Sequence, residues 1–99
     1  MSQFDLYLLH DRRSIVCRLQ VDFGLETSTV LCAPVVRKSL WRVPVTALHI
    51  PVDIEGEPHV IVMTQILTLE GKTLGPVVGS AREHRDAIIR AVDLIVVGF

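Results

Sequence analysis

The groups in this chain that could carry chemistry are four histidines, two cysteines and a few short acidic or hydroxyl clusters. His49 and His59 could meet across paired strands, but a zinc site needs three or four ligands and no third stands at a useful spacing. His10 falls in a turn and His84 in a first helical turn, where solvated roles suffice. Asp53, Glu55 and Glu57 could gather on one turn around a divalent ion, although an acidic hairpin turn is ordinarily just solvated. Ser14, Ser28, Ser39 and Ser80 sit in no nucleophile elbow, and no Cys–His pattern is evident. Gly71, Gly75 and Gly79 are spaced by four, but Pro76 and a strand setting exclude a phosphate loop. Arg37, Lys38 and Arg42 beside Trp41, or Arg12 with Arg13, could touch RNA, yet such clusters are common on ordinary surfaces. The reading is therefore no enzyme, no catalytic residue, no metal ligand and no cofactor.

Composition narrows the class. The chain has 99 residues, 49% of them hydrophobic, with 21% charged and a formal net charge of −1. That length affords one core, so residues 1–99 are read as one domain. The charge argues against non-specific nucleic-acid binding, which needs a basic excess to displace counterions. No run of 18 apolar residues occurs, so no membrane span is expected. The start, "MSQFDLYLLHDRR", is too short in its apolar part and wrongly flanked for a signal peptide. Cys17 and Cys32 lie inside apolar runs at no redox or metal spacing, which suggests buried thiols and a cytoplasmic protein.

The elements that must position these residues are mostly strands. "QFDLYLL" is rich in strand formers, and "HDRRS", His10 to Ser14, is a polar turn. Ile15, Cys17, Leu19, Val21 and Phe23 then alternate with Arg18, Gln20 and Asp22, the period of a half-buried antiparallel strand. A turn near "GLETS" leads to the strand "TVLCAPVV", where Pro34 predicts an edge or a bulge. Two brief strands around Pro44, Pro51 and Pro58 turn at "EGE". "HVIVMTQILTL" reads as one long strand whose first half is covered on both faces. "EGK" turns the chain into a last short strand, "TLGPVV".

After Ser80 the period becomes helical. Ser80 with Glu83 has the spacing of a capping box. Arg82, Asp86, Arg90 and Asp93 share one face, with Asp86 and Arg90 an i,i+4 pair. Ile88, Ala91, Val92 and Ile95 share the other, and Gly98 is placed to stop the helix in a left-handed cap. Ala87, Ile89 and Leu94 widen the apolar sector beyond what one sheet can cover, which points to a second subunit. Strands first and one amphipathic helix last, packed at one side of a strongly curved antiparallel sheet, make an α+β or small-barrel arrangement, mainly β.

The order of "QFDLY", "LQVDF", "LCAPV", "VMTQ" and the closing "AREHRDAIIRAVDLIVVGF" resembles the CcdB toxins of bacterial toxin–antitoxin modules over nearly the whole chain. The resemblance implies a small SH3-like barrel of the CcdB/MazF type with a C-terminal α-helix, and a homodimer using the helix end, here Ile88, Leu94, Ile95 and Phe99. It implies a toxin that binds the DNA gyrase A subunit and traps the gyrase–DNA cleavage complex, without direct nucleic-acid binding and without chemistry of its own. A CcdA-type antitoxin neutralises such toxins. The family's closing Trp-Gly-Ile, which contacts gyrase, falls on Val97, Gly98 and Phe99. Asp93 stands where well-known members have Asn, Val96 where they have Phe, and Leu25 is the counterpart of a loop isoleucine pair. The antitoxin is expected along His10, Arg12, Arg13 and Ser14. Two readings stay open beside this one: a MazF-like endoribonuclease, and a homologue that binds its antitoxin but no longer poisons gyrase.

Overall fold

Among the described residues, seven strands pair into one curled antiparallel sheet, and one α-helix packs against it near the C-terminus. The computed structural model describes residues 3–21 and 28–98. The strands are β1 (Asp5–Leu9), β2 (Ile15–Arg18), β3 (Thr29–Arg37), β4 (His49–Ile54), β5 (Glu57–Val62), β6 (Leu67–Glu70) and β7 (Leu74–Ser80), and the helix is α1 (Arg85–Val96). Their order is β4-β5-β3-β2-β1-β7, with β6 also on β3.

β3 organises the curl. Its one edge pairs with β2 through residues 32–35. Its other edge is divided: Val35 to Arg37 pair with β5, and Thr29 to Cys32 pair with β6. The expected long strand "HVIVMTQILTL" is therefore two strands, broken by a 3-10 turn at Met63–Gln65. The turn lets the chain leave one end of β3 and return to the same edge further along. Pro34 is central rather than at an edge. It falls where β5 and β6 both leave β3 unpaired, so on that side a missing N–H costs little. Pro51 sits in β4, which is an edge strand.

Curling gives the sheet two cores. Leu6, Cys17, Ala33, Ile50, Ile61 and Met63 pack with Ile88 and Ala91 of α1 on one face. Tyr7, Val16, Val30, Cys32 and Leu74 pack on the other. The expected half-buried strand from Ile15 to Phe23 is thus wrong in two respects. Of its described residues only Ile15–Arg18 are strand, and both faces of that strand are covered. Arg18, expected on a solvated face, is 6% exposed and donates from Nε to Gln20 O at 3.0 Å. Asp22, Phe23 and residues 24–27 of the expected turn Gly24 to Ser28 lie outside the described residues. Val60 to Met63 are all buried, as a strand covered on both faces requires.

Turn chemistry matches the local sequence in three places. Glu55 and Gly56 have φ of 52° and 79°, the pair of positive angles a two-residue type I′ hairpin needs. In the β1–β2 turn, Asp11 accepts from Arg13 N at 2.8 Å, Ser14 N at 2.9 Å and Ser14 Oγ at 2.6 Å. Gly75 lies so close to β1 that a Cβ there would collide with the backbone oxygen of Leu8. The helix start differs from expectation. The chain enters α1 through a 3-10 turn at Arg82–His84, and Ser80 Oγ accepts from Arg82 N at 3.2 Å; Glu83 faces His84 instead of closing a capping box. Asp86 pairs with Arg85 at 3.5 Å rather than with Arg90, and Arg82 reaches Asp5 at 3.3 Å.

Candidate functional site

The last turn of α1 presents the most concentrated apolar surface of the helix. Ile88 and Ala91 are buried in the core cluster, but seven residues after Ile88 the same stripe is no longer covered, and Ile95 is 43% exposed. Val96 and Val97 follow at 75% and 56%. Three consecutive helical residues point about 100° apart, so no single flat surface of the same chain covers them all. Leu94 is half-buried and Asp93 exposed. The helix then stops as its sequence predicts: Val97 N and Gly98 N both donate to Asp93 O, at 2.8 and 3.1 Å, and Gly98 takes φ +92°. The cap fixes an apolar tip with Asp93 beside it.

The residues expected to act together do so only in part. Asp93, Val96, Val97 and Gly98 share the tip, while Leu25 and Phe99 lie outside the described residues. Ile88 is corrected: at 1% exposure it belongs to its own chain's core and offers a partner no surface, whereas Leu94 and Ile95 keep some. His10, Arg12, Arg13 and Ser14 form an exposed turn, with Arg12 held at φ 61°. Asp11 scaffolds it. The Ser14 hydroxyl, then the Ser14 and Arg13 amides, hold its carboxyl down at about 2, below its ordinary 3.8.

The fold keeps His49 and His59 in separate surroundings, while His49 and His84 line one cleft. His49 pairs in register with Val62 and His59 with Val52. His59 is buried with Nδ1 2.8 Å from Glu57 O, and His49 lies against the Trp41 ring at 4.8 Å between centroids. Among the described residues no three His, Cys, Asp or Glu gather where they could hold a metal ion. Glu57 is paired with Arg37 at 3.0 Å, which also occupies one cation of the basic cluster. Cys17 and Cys32 are free and buried, and their registers send them to opposite faces: Cys17 opposes Ala33, while Cys32 opposes Arg18. Burial pushes the Cys17 thiol up to about 12 and Cys32 to about 11. No helix among the described residues is long and apolar enough to cross a membrane.

The sequence profile of the CcdB protein family matches residues 3–98, nearly the full chain. The chain belongs to the CcdB family. A search of curated proteins finds no match. Among solved structures, this CcdB-family chain is similar to the Mycobacterium tuberculosis toxin MazF-mt6, with a TM-score of 0.74 at 20% identity over 90% of this chain and 92% of that one. At that identity the likeness is one of fold, and it bears out the barrel with a C-terminal helix expected from the strand and helix pattern. Sequence reasoning placed the tip. It missed the cleft beside Arg90 described below, because that cleft joins a coil, a strand and the helix, which no local pattern links.

Proposed function

We propose that this CcdB-family protein is the toxin of a toxin–antitoxin module, and that it acts by binding the DNA gyrase A subunit through the tip of α1. Family membership and the fold shared with a toxin support the first part. The single observation that carries the second is the capped, exposed run Ile95–Val96–Val97–Gly98. Apolar side chains gathered on a rigid projection form a compact patch of the kind that anchors protein interfaces. The family's gyrase-contacting positions fall on this run and on the following Phe99.

In this reading the protein does no chemistry. It inserts its tip into the gyrase A dimerisation region and holds the enzyme on cleaved DNA. Two copies associate near Leu94 and Ile95, and a CcdA-type antitoxin with an acidic arm contacts the basic turn at Arg12 and Arg13, where charge-assisted hydrogen bonds are available. The test is a gyrase cleavage assay on supercoiled plasmid with ATP. Accumulation of linear DNA after detergent and protease, dependent on the protein, is the expected result. No linear product at a large molar excess would reject gyrase poisoning, and site-specific cutting of added RNA would replace it with an endoribonuclease.

A further inference from the structure

A cleft of about 270 Å³ opens between the coil of residues 41–48, the start of β4 and the first half of α1. Val45, Ala47, Ile50 and Ala87 supply apolar wall, and His49 and Arg90 stand on it as polar groups. Arg90 has no ion-pair partner among the described residues, since Asp86 one turn before it is taken by Arg85. It is an exposed cation beside an apolar recess. Among the described residues no Asp or Glu lines the cleft, so Arg90 is the charged group that faces it.

The hydrogen bonds around His49 determine what it presents. Thr46 N donates to His49 Nδ1 at 3.4 Å, and the Thr46 hydroxyl lies 3.0 Å from the same nitrogen. A nitrogen that accepts an amide N–H carries no proton, so in neutral His49 the proton sits on Nε2 and is available as a donor. His49 N in turn donates to Thr46 O at 3.0 Å and Leu48 N to Thr46 Oγ1 at 3.1 Å, which holds the ring in place. His84, also on the wall, faces Glu83 at 3.4 Å.

We propose that this cleft is a binding site for an organic monocarboxylate, its carboxylate held by Arg90 and the His49 Nε2–H and its apolar body seated against Val45, Ala47, Ile50 and Ala87. The charge count sets the class. One unpaired guanidinium balances one negative charge, so a dianion such as phosphate is under-compensated and gains nothing from the apolar walls. The volume sets the size, equivalent to about nine waters at ~30 Å³ each. The site uses the first half of α1 and so does not depend on the reading of the tip.

Titration of the full ¹⁵N-labelled protein with hexanoate, followed by amide chemical shifts, tests this. Saturable shifts at Thr46, His49, Ala87 and Arg90 are expected, with a Kd of about 1 mM or tighter, a modest affinity for so small a ligand. Arg90→Gln should weaken binding about tenfold or more while leaving the rest of the spectrum in place, since Arg90 is exposed. Arg90→Lys should retain most of the affinity. Absence of saturable shifts, equal binding of hexanol or inorganic phosphate, or undiminished binding by Arg90→Gln would overturn the proposal.

Discussion

Replacing Val96 and Val97 together with Ser separates recognition from folding. The two side chains are 75% and 56% exposed, so most of their apolar area is still in water and available to a partner. Full burial of a valine contributes about 1.5–3 kcal/mol, which scaled by those fractions gives about 2–4 kcal/mol for the pair. At 1.4 kcal/mol per decade the loss is about 25- to 700-fold in Kd. The cost to the fold should be small. Ser and Val have similar helix propensities, and exposed substitutions shift stability within about 0.5 kcal/mol, or under about 4 °C in a domain of this size. The assay is calorimetric titration of the double variant into the gyrase A dimerisation fragment, beside thermal melts at several protein concentrations and sedimentation. If the tip also lies at a dimer contact, the melting temperature falls and becomes concentration-dependent. A fall of more than about 10 °C at every concentration, with partner affinity unchanged, would show that the tip packs into its own domain and would refute the reasoning.

Ile88→Ala should do the reverse: at 1% exposure the change leaves a cavity under the helix and costs about 2–5 kcal/mol, measured by urea unfolding. Gly75→Ala should destabilise by about 1–3 kcal/mol, because its Cβ meets a backbone oxygen of Leu8 that moves only if β1 parts from β7; its melt should match wild type if the contact is relieved. The Asp11 carboxyl should titrate near 2 by ¹³C NMR, and Ser14→Ala should raise that value. Because the folded value lies below the ordinary 3.8, the contribution of Asp11 to stability is present above that pH and is lost as pH falls toward 2. Cys17 and Cys32 should resist thiol reagents at pH 8 until the protein unfolds, and no disulfide should form under mild oxidation, since their thiols are raised to about 12 and 11 and face opposite sides of the sheet.

Features set within a few residues were legible in the sequence. A helix after Ser80 running to Val96 and its stop at Gly98 follow from a 3.6-residue apolar period and a residue free to take positive φ, although its entry is a 3-10 turn and α1 begins only at Arg85. The Glu55–Gly56 hairpin and the Asp11-scaffolded turn follow from backbone and side-chain preferences of four or five neighbouring residues. The ordered motifs were enough to suggest the family. What only the tertiary structure decided is which faces are covered and by what. Period two puts Cys17 and Arg18 on opposite faces of β2, but whether one face or both meets a core depends on β6 and β7, some fifty residues away, curling back over the sheet. The same holds along α1. Ile88 and Ile95 are equivalent in the helical pattern, yet one is in the core cluster and the other is 43% exposed at the tip. The cleft beside Arg90 and the close approach that requires Gly75 are likewise products of distant segments meeting. Local sequence determines the direction in which a side chain points; long-range packing determines what it finds there.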